Sequence, residues 1–243
     1  MAPETLIVWL VVMLGAMVQG LTGLGFALIA VPVLLLFQDA RTVIVSALIL
    51  TGVLNALILL QTRCRRLSWR DATPIIVGSV LGVPFGSYLL VVLNPESLKV
   101  MVAGLALLFS LPMLMGFHRS FSHQQAAGML TGAVSGALQS CTSMGSPPVA
   151  LFMTNQGFSK DSFRGTLVLR SMAVSSLSVA ALMTTGMVNT SVALQVLAMV
   201  PAVLIGLAIG LALAKVVPQK LFKKLTILVI AGTALLSLIS ALH

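Results

Sequence analysis

Carboxylates are scarce in this chain: five Asp and Glu stand among 243 residues, and charged residues of both signs make up only 8%. An ordinary soluble domain carries about 25%. Glu4, Asp39, Asp71, Glu96 and Asp161 all fall at the edges of apolar runs. No carboxylate or histidine cluster therefore gathers at one depth for acid–base or nucleophilic chemistry, and an enzyme is not expected. His118, His123 and His243 fall in loops or at the terminus, and nothing near them completes a metal site. Neither a metal nor any other cofactor is expected. The two cysteines, Cys64 and Cys141, lie at different predicted depths and make no disulfide framework. An uncharged thiol in apolar surroundings, as at Cys141, reads as inert. No Lys or Arg precedes the first apolar run, so the basic region of a cleaved signal peptide is missing and the amino terminus reads as part of the mature fold.

What fills the chain instead is hydrocarbon: 58% of residues are hydrophobic. Charge-free runs cover residues 5–38, 42–62, 72–93, 100–117, 125–159, 171–214 and 225–242, each long enough or nearly long enough to span a bilayer. The runs lack strict alternation, and open sheet edges are excluded from lipid, so helices are the form that satisfies their backbone groups. The predicted fold class is an all-α polytopic membrane protein. Its net charge of +9 comes from Lys and Arg clustered in short loops, which points to membrane orientation rather than to nucleic acid.

The chain repeats itself. A shift of 120 residues lays Gln19, Thr22 and Gly25 of QGLTGLGF on Gln139, Thr142 and Gly145 of QSCTSMGS. With a small gap, Gly82 and Gly86 then meet Gly206 and Gly210, and Lys99 meets Lys223. Residues 1–120 and 121–243 are therefore expected to be two membrane repeats. The first run would be about 50 Å long as one helix, against a hydrocarbon core of about 30 Å. Its middle, residues 19–25, holds three glycines, a glutamine and a threonine, which break helices. The run 125–157 has a similar break around residues 140–148. Each half is thus expected to open with a broken re-entrant hairpin, with arms of about fifteen residues reaching mid-membrane, followed by three spans. Three crossings invert the second copy. In that arrangement eleven basic residues, from Arg63 to Lys224, share one face, while Arg41 and Lys99 alone stand on the other. That asymmetry fits the positive-inside rule, and it places both termini in the periplasm. One crossing per broken run, eight in all, would set Arg63–Arg70 and Lys215–Lys224 on opposite faces.

Irregular backbone at membrane depth is tolerated only inside protein or beside a water-filled cavity, so function is expected at the two breaks. A helix starting there offers free N–H groups and a partial positive charge to an anion. Gly23, Gly25 and Gly145 permit close backbone approach, and Gln19, Thr22, Gln139, Ser140, Thr142, Ser143 and Ser146 add neutral donors. The bland reading of the same residues is close helix packing in lipid. Asn55 and Ser175 occupy equivalent positions in the following spans and are candidates to line the cavity. Pro147 and Pro148 set the start of the outgoing helix. The two breaks are expected to face each other across a pseudo-two-fold axis, with one polar site between them.

Arg170 is the deepest formal charge, six residues or about 9 Å further into its span than Arg164. Such a residue either snorkels to the interface or faces a partner or cavity. No Asp or Glu lies inside any span to pair with it, so a small anionic substrate is the expected partner, its oxygens matched to the guanidinium fork. The same absence leaves no proton relay or charged sodium site, which favours uniport or anion exchange.

The stretches QGLTGLGFALIAVPVLLL and SGALQSCTSMGSPPVALFMTNQGFSKDSFRGT resemble the TauE/SafE sulfite exporter family, also called the toluene sulfonate uptake permease family, along the whole chain. Phe26, Ala27, Ser143 and Ser146 stand where that family often has further glycines. The resemblance implies secondary transport of sulfite, sulfoacetate or a related organosulfonate across the inner membrane, as export. The alternatives are uptake or exchange of another small anion and, from a different class, a membrane scaffold or assembly factor. Membrane lipid is the other expected partner.

Overall fold

The computed structural model describes residues 3–62, 69–114 and 124–216. Among them the chain is helical, with no strand: α1 (Pro3–Thr22), α2 (Phe26–Leu34), α3 (Ala40–Thr62), α4 (Trp69–Val92), α5 (Pro95–Leu114), α6 (Gln124–Thr142), α7 (Ser146–Asn155), α8 (Lys160–Met183) and α9 (Thr190–Val216). Five of these helices are long and apolar enough to cross a membrane, namely α1, α3, α4, α8 and α9. The expected span 100–117 is followed by α5 as far as Leu114, and the expected span 225–242 lies outside the described residues.

Polar residues between the runs start the helices. Asp39 Oδ2 accepts from Arg41 N at 3.0 Å and Thr42 N at 3.2 Å. Asn94 and Asn189 cap α5 and α9 through Ser97 N at 2.8 Å and Val192 N at 2.9 Å. Ser159 does the same for α8 through Ser162 N at 3.3 Å. Each satisfies donors that a helix start leaves open. The acidic residues thus have local work: Asp39 caps α3, and Asp71, Glu96 and Asp161 sit in the first turns of α4, α5 and α8, where the helix dipole favours negative charge.

Contacts between the helices define the two ends of the bundle. Thr5, Trp9, Phe37, Gln38, Gln195 and Met199 line one cavity of about 250 Å³, and Gln195 donates to Gln38. Arg41 donates to the carbonyls of Val91 at 3.1 Å and Leu93 at 2.9 Å. The starts of α1, α3 and α9 and the end of α4 therefore share this first end. At the opposite end Lys160 donates to the Ala214 carbonyl at 3.1 Å, joining the start of α8 to the end of α9. Two consequences follow. The run 5–38 doubles back to the end from which it started, so it is a hairpin and not a single crossing. And α3 starts at the end where α8 finishes, so the two run antiparallel. The second hairpin is seen in Gly128, where an added Cβ would lie 3.5 Å from the Phe152 ring.

The hairpins differ from the expected ones in proportion. Breaks span only residues 23–25 and 143–145, and the arms are unequal. α1 and α6, of 20 and 19 residues, are about 30 and 28 Å long, whereas α2 and α7, of 9 and 10 residues, reach about 13 and 15 Å. Gly20 does not end α1, because its missing side chain lets the helix lie on Leu207 and Gly210 of α9. The chain leaves the helix three residues later, at Gly23 with φ 81°.

Packing is reciprocal: α1 lies mainly on α9, and α6 mainly on α4. Both pairs run parallel and owe their closeness to glycine. A Cβ on Gly82 would sit 2.1 Å from the Ala133 carbonyl oxygen, and one on Gly136 1.9 Å from that of Ser79. Lipid offers no hydrophobic drive between helices, so this backbone approach supplies the dispersion contact. Gly136→Val is expected to lower stability by about 1–3 kcal/mol or more, since neither backbone can yield. Gly104→Ala, in open space, should leave a detergent-solubilised thermal melt unchanged.

Candidate functional site

Both breaks start from the same device. The helix continues one bond past its last residue, Gly23 N to Gln19 O at 2.8 Å and Ser143 N to Gln139 O at 2.7 Å, and the next residue turns left-handed, Gly23 at φ 81° and Ser143 at φ 63°. Thr22 and Thr142 shape this turn: each hydroxyl donates back to a carbonyl, Val18 O at 2.8 Å and Leu138 O at 2.7 Å, and accepts a backbone N–H two residues on at 3.2 Å. They are committed to the turn rather than offered to a ligand. A serine at positive φ costs of order 1 kcal/mol or more, and such strain gathers at functional positions. The Ser143 hydroxyl is buried and has no hydrogen-bond partner.

The first cluster is neutral. Gln19 Nε2 donates to Asn55 Oδ1 at 2.8 Å, and Gln19 Oε1 accepts from Phe26 N at 3.2 Å. Gln19 thus occupies the start of α2 that an anion was expected to fill. At α7 the helix-end argument also weakens, because Pro147 and Pro148 have no N–H to give. Gly25, at φ 126°, caps α2 without a side-chain bond. The glycines beside the breaks are filled by protein. A Cβ on Gly23 would lie 2.9 Å from Arg164 Cγ, and one on Gly145 2.1 Å from the Ser135 carbonyl oxygen. The Arg164 guanidinium meanwhile donates to the Gly20 carbonyl near the end of α1, a favourable place for a cation.

The second cluster is charged. Arg170 has no exposed surface and does not snorkel. Its guanidinium donates to Ser135 Oγ at 2.6 Å and Gln139 Oε1 at 2.5 Å. Gln139 Nε2 in turn reaches the Ser171 carbonyl and hydroxyl at 3.0 and 2.8 Å and Ser175 Oγ at 3.0 Å. Ser140 and Ser178 share a hydrogen bond of 2.6 Å. Ser135 donates to the Gly145 carbonyl, tying the start of α7 to α6, and half-buried Ser146 follows in the first turn of α7. Arg170 Nε is buried without a hydrogen-bond partner, and so are Thr166 Oγ1 on α8 and Thr51 Oγ1 and Asn55 Nδ2 on α3. Thr166 lies one turn before Arg170, and Thr51 one turn before Asn55, on the same helix faces.

The two clusters adjoin where α3 touches α8: an added Cβ on Gly52, about one turn before Asn55, would lie 3.5 Å from Ser175 Cβ. Asn55 is fifteen residues into α3 and Ser175 fifteen residues into α8, each about 22 Å from the start of its helix. Of the expected residues, Gln139, Ser140, Arg170 and Ser175 join the second cluster and Gln19 and Asn55 the first. Ser135, Ser171, Ser178 and Thr166 complete the picture. Their signal was positional: Ser135 lies one turn before Gln139, and Ser171, Ser175 and Ser178 recur on one helical face. Cys141 is buried but outside both clusters, in the wall of an apolar cavity of about 390 Å³ between α4, α5 and α6.

A family model, sulfite exporter TauE/SafE, matches residues 8–237, which include both breaks and Arg170. The chain belongs to the TauE/SafE family. No curated protein and no solved structure matches it. With five helices able to cross a bilayer, this TauE/SafE protein is a multi-pass membrane protein of a transporter family.

Proposed function

We propose that this TauE/SafE protein is a secondary carrier that exports a small sulfur-containing anion, such as sulfite, sulfoacetate or a related organosulfonate, across the inner membrane by alternating access, with Arg170 as the charge that holds it. The observation that carries the reading is a guanidinium with no exposed surface whose polar partners, Ser135 and Gln139, are both neutral. A cation at a helix centre costs about 2.5–3.5 kcal/mol on insertion scales, and an anion with oxygens in a plane relieves it through the fork of N–H donors.

Two inverted repeats, 1–120 and 121–243, supply the machinery for alternation. The antiparallel α3 and α8, the reciprocal α1–α9 and α6–α4 pairs, and the matching bonds Gln19–Asn55 and Gln139–Ser175 at a shift of 120 support them. Arg70, Lys160, Arg164 and Lys215 gather at the opposite end and face the cytoplasm, so the amino terminus lies in the periplasm. The matching proposal for the carboxyl terminus concerns residues outside the described ones. A membrane-impermeant thiol reagent applied to intact cells should label Thr5→Cys in a protein lacking Cys64 and Cys141; labelling only after lysis contradicts this topology.

A thermal melt tests binding directly. Sulfite, sulfoacetate and a simple alkanesulfonate are each titrated, and a ligand present at about 100 times its Kd should stabilise the folded state by about 2.7 kcal/mol. Absence of a saturable shift with all three contradicts the anion site.

A further inference from the structure

We propose that the Arg170 site is matched to a single negative charge, so that it takes monoanions and turns away dianions of the same size. This inference rests on the anion-site reading above. Among the described residues the guanidinium is the sole formal charge in its cluster: Ser135, Gln139, Ser140, Ser171, Ser175 and Ser178 are all neutral. Among the described residues, the elements packed on α8 add no charge to it. On α3 the charged residue is Arg41, spent on carbonyls at the first end. On α4, Arg70 and Asp71 stand in the first turn and Tyr88 is exposed. α7 has no titratable residue, and Cys141 of α6 faces the apolar cavity. Lys160, Asp161 and Arg164 lie in the first turns of α8 itself, with Arg164 engaged at Gly20. Glu96 and Lys99 belong to the first turns of α5, and Lys215 to the last turn of α9.

One monoanion therefore brings the cluster to neutrality. A dianion leaves a buried negative charge with no second cation, and an uncompensated buried charge is strongly disfavoured. Arginine keeps its proton across the physiological range, so any pH dependence of sulfite recognition belongs to sulfite, which exists as hydrogen sulfite and as the sulfite dianion near neutrality. The site would take hydrogen sulfite. The proton then travels on the substrate, crosses with it and is released on the far side, and no protein relay is required.

The purified protein is titrated with methanesulfonate, sulfate and sulfite at about pH 6 and about pH 8, with the melting temperature as readout. Methanesulfonate, a monoanion at both values, is expected to bind equally well and at least roughly 100-fold more tightly than sulfate. The apparent affinity for sulfite should fall from the lower pH to the higher. Sulfate binding as tightly as methanesulfonate, or sulfite binding that holds or strengthens with pH, overturns the single-charge inference and leaves the anion site standing. No response to any of the three removes both. Methanesulfonate corrects in the same experiment for titration of the protein itself.

Discussion

Arg170→Ala is expected to abolish anion binding while leaving the protein inserted and folded. Truncating one partner of a buried, hydrogen-bonded charge pair commonly costs about 2–5 kcal/mol, roughly 30- to 4000-fold in Kd. The stability of the ligand-free protein moves the other way or little. Its guanidinium stands buried without a carboxylate, and the variant sheds that desolvation while losing two hydrogen bonds and some packing. Arg170→Met, which keeps most of the volume, separates the two effects: it should melt at or above the wild-type temperature and show no ligand shift. Arg170→Lys should restore part of the affinity, because an ammonium supplies charge without the planar fork. A purely structural arginine would give the opposite pattern, with unfolding in Met and Ala and no change in the ligand response of whatever protein survives. Wild-type affinity in folded Arg170→Ala contradicts the role.

A disulfide between Gly52→Cys and Ser175→Cys is expected to stop flux, and reduction to restore it. An added Cβ at Gly52 lies 3.5 Å from Ser175 Cβ, at the short edge of the range that disulfides span. Ser175 belongs to the Arg170 cluster and Gly52 lies about one turn before Asn55 of the other, and both Gln139 and Asn55 are buried. An anion passing from one to the other requires α3 and α8 to part there, as alternating access between repeats demands. Oxidised protein, with Cys64 and Cys141 replaced, should lose more than about nine-tenths of its transport and regain most of it on reduction; the reduced double variant itself measures the cost of losing the Ser175 hydrogen bond. Equal flux in both states contradicts separation at this crossing.

Much of this architecture is readable from the residues, and the misses have physical causes. The apolar runs announce helices because lipid leaves the backbone no other partner. The breaks are audible as Gln, Gly and Thr in the middle of hydrocarbon, and Arg170 as a charge too deep for an interface. Their bounds are not legible, because whether α1 survives Gly20 depends on a groove that α9 provides from the far end of the sequence. Nor is the fate of the helix starts. Gln19 returns from α1 to cap α2, a bond that requires the folded turn, whereas the missing N–H groups of Pro147 and Pro148 were open to view and point away from a helix-dipole anion site at α7. The serines of α8 look like lipid-compatible packing residues in a string of letters; only the three-dimensional approach of Gln139 makes Ser171 and Ser175 a network.

Flux of a labelled sulfonate in proteoliposomes containing only this protein addresses transport itself. A carrier moving one uncompensated negative charge should show saturable uptake that accelerates when the interior is made positive, with about 2.3 kcal/mol of driving force per 100 mV, and the Arg170→Met protein should show none. Uptake no faster than in protein-free vesicles, for sulfonates and for sulfite alike, would contradict the assignment of this chain as an anion carrier.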